Sequence, residues 1–437
     1  MPHILSYFKN ISNKSGLQCD PVFVFLITAI LVANPLNYAF GSITSIIFIG
    51  VVCLLARRKM YSNVTLLIPI VFYILMIISL LWSINFSLSL AGLRKEGLFL
   101  MIPLAFVFMP PLREESKQNI FRFFSFGMGI FSIYYIINAS LRYFASGNDK
   151  VFFYHELVTQ DRNAIYVSVF ISFAMFYFII KRNKSFFEQV SLVILIIVLF
   201  LLSSKSIIFI DFMLIICYYS FFSMVQESVK LVTITTVLCF LLFSVIFVKE
   251  MRERFLTEYE TAFVDNTLNK SVRNEFDTIY NVSIQQAWNN QRFQLNNFFP
   301  GTAMRVYQAR IFQEMLVEDK TLLTGYGLEA SQSKIRQKAI QHNLYQEYGE
   351  FNFHNQYIQT FAELGVLGFL ILILMLWFNF KKALKNKNFL HIVFAVTMII
   401  LFLTESFFCR QRGIVFFITM YCVFNSGNLP KPVKKLK

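Results

Sequence analysis

The side chains with the most chemical potential in this sequence are cations set in apolar surroundings. Lys205 stands in LLSSKSIIFID, Arg94 and Lys95 in AGLRKEG, Arg410 and Arg412 in FFCRQRG, and Arg305 in AMRVYQAR. A charge at mid-bilayer costs about 2.5–3.5 kcal/mol on insertion scales, and less near the interface. Two readings of Lys205 are open. In one it snorkels to the headgroups and does nothing further. In the other, short loops bring their cations to a common anion site at one membrane surface. Four separate segments, each carrying Arg or Lys, favour the second reading. The natural anion at that depth is a lipid phosphate or diphosphate. Arg grips such a group with two parallel hydrogen bonds, whereas Lys acts as a point charge.

A proton acceptor is the complementary requirement. His354 stands where a long polar stretch gives way to an apolar run, in EFNFHNQYIQTFAELGVLGFL. Imidazole is the side chain best suited to take a proton at neutral pH. The plain alternative is a helix cap or a polar anchor. His155 and His342 fall in polar segments and read as solvated or structural, and His3 and His391 are given no role. Among the acids, Asp211 follows Lys205 within two helical turns and reads first as its salt-bridge partner. Glu405 ends an apolar run within pairing reach of Arg410 and Arg412, and Glu363 lies in the run after His354. The six Cys (Cys19, Cys53, Cys217, Cys239, Cys409, Cys422) lie in or beside apolar runs without a CxxC. No disulfide framework, zinc site, iron–sulfur site or DxD motif is expected, so neither metal nor cofactor is assigned.

The elements that must hold these groups are membrane helices. Of 437 residues, 56% are hydrophobic and only 15% charged, with 53 Phe. Such a composition excludes a soluble enzyme, a disordered chain and a fibrous protein. The first residues are too polar for a cleavable signal, so the first apolar run is expected to stay as a span. About twelve spans are read at 21–38, 41–56, 64–84, 97–112, 119–141, 163–180, 186–203, 206–224, 229–248, 356–379, 389–405 and 411–427. The fold class is therefore all-α and polytopic. Arg57-Arg58-Lys59, Lys181-Arg182, Lys381-Lys382 and both termini collect the positive charge, which assigns them to the cytoplasm. The net charge of +15 thus reports topology, and no nucleic-acid partner is implied. Three parts follow: spans 1–9 in residues 1–248, an external domain in 249–355, and spans 10–12 with a basic tail in 356–437. The external domain carries 12 Lys+Arg and 13 Asp+Glu and reads as folded and mostly helical. Its aromatics recur (Tyr280, Trp288, Phe293, Phe298, Phe299). Apolar residues at 306, 309, 312, 315 and 316 predict a helix over 303–320, with a turn at Gly325 and Gly327.

Three segments together resemble the O-antigen ligase and O-antigen polymerase superfamily of bacterial inner membranes. They are His354-Asn355 followed after nine residues by Gly365-x-x-Gly368, the Arg305 helix followed by LLTGYG, and WSINFSLSLAGLRKEGLFLMIPL at 82–104. The resemblance implies a GT-C-like glycosyltransferase in the cell inner membrane, with a large periplasmic loop and a role in lipopolysaccharide biosynthesis. The implied donor is a glycan on undecaprenyl diphosphate, and the implied acceptor is a sugar hydroxyl of lipid A–core. By position, His354 resembles the family's general base and Arg305 its diphosphate-binding Arg. Lys205 stands where many members have Arg, and Arg94 lies where members carry basic residues. Asn355, Arg410, Arg412 and Asp211 are supporting candidates. The implied reaction is metal-independent and inverting. Chain elongation by a polymerase, a protein O-oligosaccharyltransferase and, in another class, a lipid-linked oligosaccharide flippase are the alternatives. A flippase should line a path through the bilayer with polar groups, whereas here the cations gather at one face.

Overall fold

A computed structural model describes residues 20–36, 38–55, 60, 63–159, 163–232, 234–236, 239, 249–269 and 278–427. The apolar runs form helices: α1 (Asp20–Ala33), α2 (Tyr38–Leu55), α3 (Val64–Ile78), α4 (Phe86–Glu96), α5 (Leu98–Phe108), α6 (Glu114–Ser146), α7 (Ala164–Ile180), α8 (Phe186–Leu202) and α9 (Lys205–Cys217). The polar segment 249–355 contributes α10 (Lys249–Phe263), α11 (Ile284–Asn289), α12 (Gly301–Asp319) and α13 (Ser331–Gln341). Then come α14 (Gln356–Lys385), α15 (Phe389–Leu401) and α16 (Gln411–Asn425). A helix stands at every expected span except 229–248, most of which lies outside the described residues. Among the described residues four stretches are long and apolar enough to cross a membrane: Val64–Leu81, Glu114–Ser146, Lys205–Phe222 and Gln356–Lys385. The expected span at 97–112 is shorter, an eleven-residue helix. The amphipathic α4 before it, capped by the Asn85 side chain on Leu88 N, was not among the expected elements.

Helices α16 and α7 are interior. All of Arg412–Asn425 in α16 is buried, as are Tyr166–Phe178 in α7. Helix α16 packs against α5, α1, α2 and α3, and α14 packs against α15 and α3. Phenylalanine supplies much of the core. Phe408 meets Phe99, Phe402 and Phe417 with ring centroids 4.9–5.0 Å apart, and all three pairs are tilted edge to face. Each such pair contributes about 0.5–1.5 kcal/mol beyond burial. Together they pin the turn between α15 and α16, residues 402–410, to the bundle's axis.

The polar segment has its own core, in which Phe293, Phe299, Tyr307, Ile311 and Met315 pack with half-buried Tyr348. Among the described residues three two-residue strands depart from the all-α expectation. β1 (Thr267–Leu268) pairs antiparallel with β2 (Tyr280–Asn281), which pairs parallel with β3 (Asn297–Phe298). They hold connecting loops together and carry no face of the core. Helix α12 also differs from expectation in the face it buries. Met304, Tyr307, Gln308, Ile311 and Met315 are buried, while Val306, Ala309, Phe312 and Leu316 are only half-buried. The helix is wedged between neighbours, so its apolar pattern does not mark a single inner face.

The glycines of the sequence motifs make one joint. Gly365 breaks α14 with φ +66° and ψ −166°, a region open essentially to glycine alone. The break frees the carbonyls of Ala362 and Glu363 and the amide of Val366. Tyr326 N donates to Ala362 O at 2.8 Å and Gly327 N to Glu363 O at 2.9 Å, while Val366 N donates to Leu322 O at 2.9 Å. Gly325 and Gly327 both have positive φ, as this close docking requires. The segment at 82–89 closes over the same joint. Trp82 Nε1 donates to Thr324 O, Ile84 N to Tyr326 O, and the Ser89 hydroxyl to Leu328 O.

Candidate active site at the end of the bundle

The turn 402–410 is the hub on which the site is assembled. Gln356 N donates to Phe402 O at 2.8 Å, and Phe408 N donates to Gln356 Oε1 at 2.7 Å. Asn355 N donates to Ser406 Oγ and Asn355 Nδ2 to Leu403 O, both at 3.1 Å, while Asn355 Oδ1 caps α14 by accepting from Ile358 N. Asn355 thus ties the start of α14 to the turn. His354 precedes it with φ +48°, a left-handed conformation uncommon for a residue with a Cβ. Its Nδ1 is buried, makes no hydrogen bond among the described residues, and lies 3.9 Å from Glu405 Oε2. The ring is part-exposed, so one edge is enclosed while another remains open.

Arg305 reaches the same turn from α12. Its Nε donates to Thr404 O at 3.0 Å and its Nη1 to Gly301 O at 3.0 Å. Among the described residues no carboxylate pairs with it. Two carbonyls therefore aim the guanidinium without neutralising it. Lys205 begins α9, and its neighbour Ser206 meets the Thr404 hydroxyl at 3.4 Å. Lys205 Nζ pairs with Glu258 Oε2 at 3.1 Å. Glu258 Oε1 accepts from Thr302 N at 3.0 Å and from the Thr302 hydroxyl. Burial pushes the Glu258 carboxyl up, but Thr302 and Lys205 outweigh it and hold the group below its ordinary value. Arg305 and His354 therefore meet the turn at neighbouring residues, Thr404 and Glu405, and Lys205 stands next to Ser206, which also reaches Thr404.

Other candidates take different places. Arg94 is exposed at the end of α4 and engages no partner among the described residues. Its neighbour Lys95 turns inward, pairing with Glu329 and donating to Cys409 O at 3.3 Å. Asp211 is not the partner of Lys205. It is buried against α7 and accepts from the Ser172 hydroxyl at 2.5 Å, because six residues along a helix turn it to another face. Glu405 does not pair with Arg410 or Arg412 but faces His354. Arg410 is exposed at the start of α16, while Arg412 is buried and its carbonyl accepts from Asn34 Nδ2. Glu363 accepts from Gln359 Nε2 within α14. His342 is structural, with Nδ1 on the Tyr307 hydroxyl at 3.0 Å and Nε2 3.3 Å from Glu314. Glu258 and Thr302 were invisible in the sequence, since α10 is rich in charges and nothing distinguishes one of its carboxylates.

The chemistry open to this arrangement is transfer at an anionic leaving group. An imidazole with a carboxylate behind it can take a proton, and two cations can hold a growing negative charge. Among the described residues no three His, Cys, Asp or Glu side chains gather in a way that could hold a metal ion. Residues 190–373 match the family model described as O-Antigen ligase. No curated protein gives a match. The matched stretch contains Lys205, Glu258, Arg305, His354 and the Gly365 joint, which are the parts that meet at the 404–406 turn or brace it. On these grounds the chain is similar, over residues 190–373, to the O-antigen ligase family.

Proposed function

We propose that this protein is an inner-membrane glycosyltransferase of the O-antigen ligase type. It moves a glycan from undecaprenyl diphosphate to a sugar hydroxyl of lipid A–core at the periplasmic face. The observation that carries the reading is the placing of Arg305 on Thr404 and of His354 beside Glu405, with Lys205 next to Ser206, which also meets Thr404 in the turn after α15. In the reaction, His354 takes the acceptor's proton as its oxygen attacks the anomeric carbon from the face opposite the leaving group. The bond from the anomeric carbon to the phosphate oxygen breaks, and its electron pair leaves on the lipid diphosphate. Arg305 and Lys205 stabilise that charge, and exposed Arg94 attracts the donor headgroup as it arrives. A preorganised cation beside a forming oxyanion is the largest lever a protein has for such a step. The donor is already an activated diphosphate ester, so no nucleotide is consumed.

The deciding experiment is a strain lacking the gene, complemented with wild type or with His354→Ala and examined by glycan gel. Long lipid-linked chains beside bare lipid A–core, restored to full lipopolysaccharide by wild type only, support ligation. Lipid A–core bearing a single repeat unit assigns the same site to chain elongation. Normal transfer by His354→Ala removes the base assignment.

A further inference from the structure

Glu258 sits where an anionic ligand of this site would sit. Its carboxylate rests on the Lys205 ammonium, the Thr302 amide and the Thr302 hydroxyl at once. Thr302 is the second residue of the 19-residue helix α12, so that amide has no partner within the helix and stands at its positive end. An ammonium, a helix-end amide and a hydroxyl converging on one oxygen-bearing anion form a phosphate-binding set. Arg305 stands one turn further along the same helix. A methyl group built on Gly301 would lie 3.3 Å from Arg305 Nη1 and 3.8 Å from Glu258 Oε1. The guanidinium and the carboxylate therefore both lie close to the Cβ that Gly301 lacks. Glu258 reaches this seat from α10, a separate element, and is not fixed there by the fold of α12 itself.

We infer that Lys205, the Thr302 amide and the Thr302 hydroxyl form the seat for one phosphate of the donor's diphosphate, and that Glu258 occupies it until the donor arrives. The proposal rests on the lipid-diphosphate reading above. Glu258 is then a positioning residue and an internal competitor. It keeps Lys205 neutralised and aimed while the site is empty, and it gives way when a stronger, doubly charged ligand enters. Entry of the diphosphate exchanges one set of charge-assisted hydrogen bonds for another and needs no proton transfer. The carboxylate is held ionised by its partners, so the exchange is a competition between anions.

The test uses the full-length protein in nanodiscs and inorganic diphosphate as the probe, with binding followed by calorimetry. Glu258→Gln keeps an acceptor for the Thr302 amide but removes the competing charge. It should bind diphosphate about fivefold more tightly than wild type, the factor that corresponds to a half-exposed ion pair. Glu258→Asp keeps the charge and should bind no more tightly than wild type. Thr302→Val, which loses the hydroxyl, should bind more weakly. A merely structural Glu258 would lower affinity when replaced, so weaker or unchanged binding by Glu258→Gln overturns the proposal. So does equal tightening by Glu258→Asp, or the absence of binding by Glu258→Gln at millimolar diphosphate. Arg305→Ala separates the two levels of the argument. If Arg305→Ala and Lys205→Ala both leave diphosphate affinity intact, the donor-site reading itself fails. If they weaken it while Glu258→Gln does not strengthen it, only the competition fails.

Discussion

His354 holds a backbone conformation that a side chain tolerates only when its surroundings impose it. Asn355 and Gln356 impose it here, through their bonds to Ser406, Leu403, Phe402 and Phe408. The imidazole is thereby presented with Glu405 at 3.9 Å, too far for a hydrogen bond. Closure of that gap as the acceptor enters would set the tautomer with Nδ1 protonated and leave Nε2 to take the proton. His354→Ala should therefore lower the transfer rate by about 10²–10⁴-fold, the range for a lost general base. Glu405→Gln should lower kcat by about tenfold and leave the donor KM nearly unchanged, as steady-state kinetics with purified donor would show. Arg305 differs, since two carbonyls already fix its plane. Arg305→Ala should cost about 10²–10³-fold in kcat/KM, and Arg305→Lys should recover part of it, because a point charge lacks the fork. The cations and the imidazole were legible in the sequence because each contradicts its apolar or topological surroundings. The partners were not. Asp211 and Glu258 are both carboxylates that could serve Lys205, and only the fold decides that the distant one does.

At the scale of elements, the sequence motifs turn out to be joints. HN-x9-GxxG reads in one dimension as a spacing; in three dimensions Asn355 is the cap of α14 and Gly365 is its break. The break exists so that the 322–327 turn can pair with the exposed backbone. That pairing fixes α14 against the turn after α12, and hence Arg305 against His354. Replacing Gly365 with Ala would force a side chain into a conformation costing about 1–3 kcal/mol. It would also press the new methyl against the Leu323 backbone. Gly365→Ala should yield little folded protein, read as detergent-solubilised monomer in size-exclusion chromatography. Gly50→Ala in α2, where a Cβ meets nothing within 4 Å, should leave that yield unchanged or raise it, since alanine favours a helix by about 1 kcal/mol. Thermal unfolding that ranks these two variants the other way would remove the joint from the argument. The span pattern could not reveal this break, because glycine within an apolar run costs little in hydropathy. The positions of the helices were legible for the opposite reason, since every backbone group in lipid must be satisfied within a helix.

The molecule as a whole joins an apolar bundle to a polar domain, and the domain has a way to respond to acid. Its helices α12 and α13 are stitched by ions. Glu314 accepts from Arg310 Nε at 2.8 Å and Lys338 Nζ at 3.0 Å, and His342 lies beside it at 3.3 Å. Burial lowers the His342 pKa below 6.5, and the neighbouring Glu314 carboxylate only partly opposes that. Burial raises the Glu314 carboxyl, but bonds from Lys338 and Arg310 outweigh it and hold the group below 4.5. The signs follow from linkage. Below pH 6.5 the unfolded chain binds a proton at His342 that the folded domain refuses, so stability falls as pH falls from there. Below 4.5 the unfolded chain also binds a proton at Glu314 that the folded one refuses, and a second loss begins. Lys338 acts at the other end, with its value raised by Glu318 and Glu314 against burial, so its contribution is lost only at strongly alkaline pH. Hydrogen exchange across α12 and α13 should therefore quicken between pH 7 and 5.5 after correction for intrinsic rates. His342→Gln, which keeps a partner for the Tyr307 hydroxyl but cannot titrate, should flatten the change in that window and leave the loss below 4.5 in place. Because Arg305 lies on α12, the same acidification should weaken diphosphate binding in wild type and less so in His342→Gln. Equal pH dependence in the two proteins would show that the acid response arises elsewhere, and would uncouple the ion network of the domain from the site at the end of the bundle.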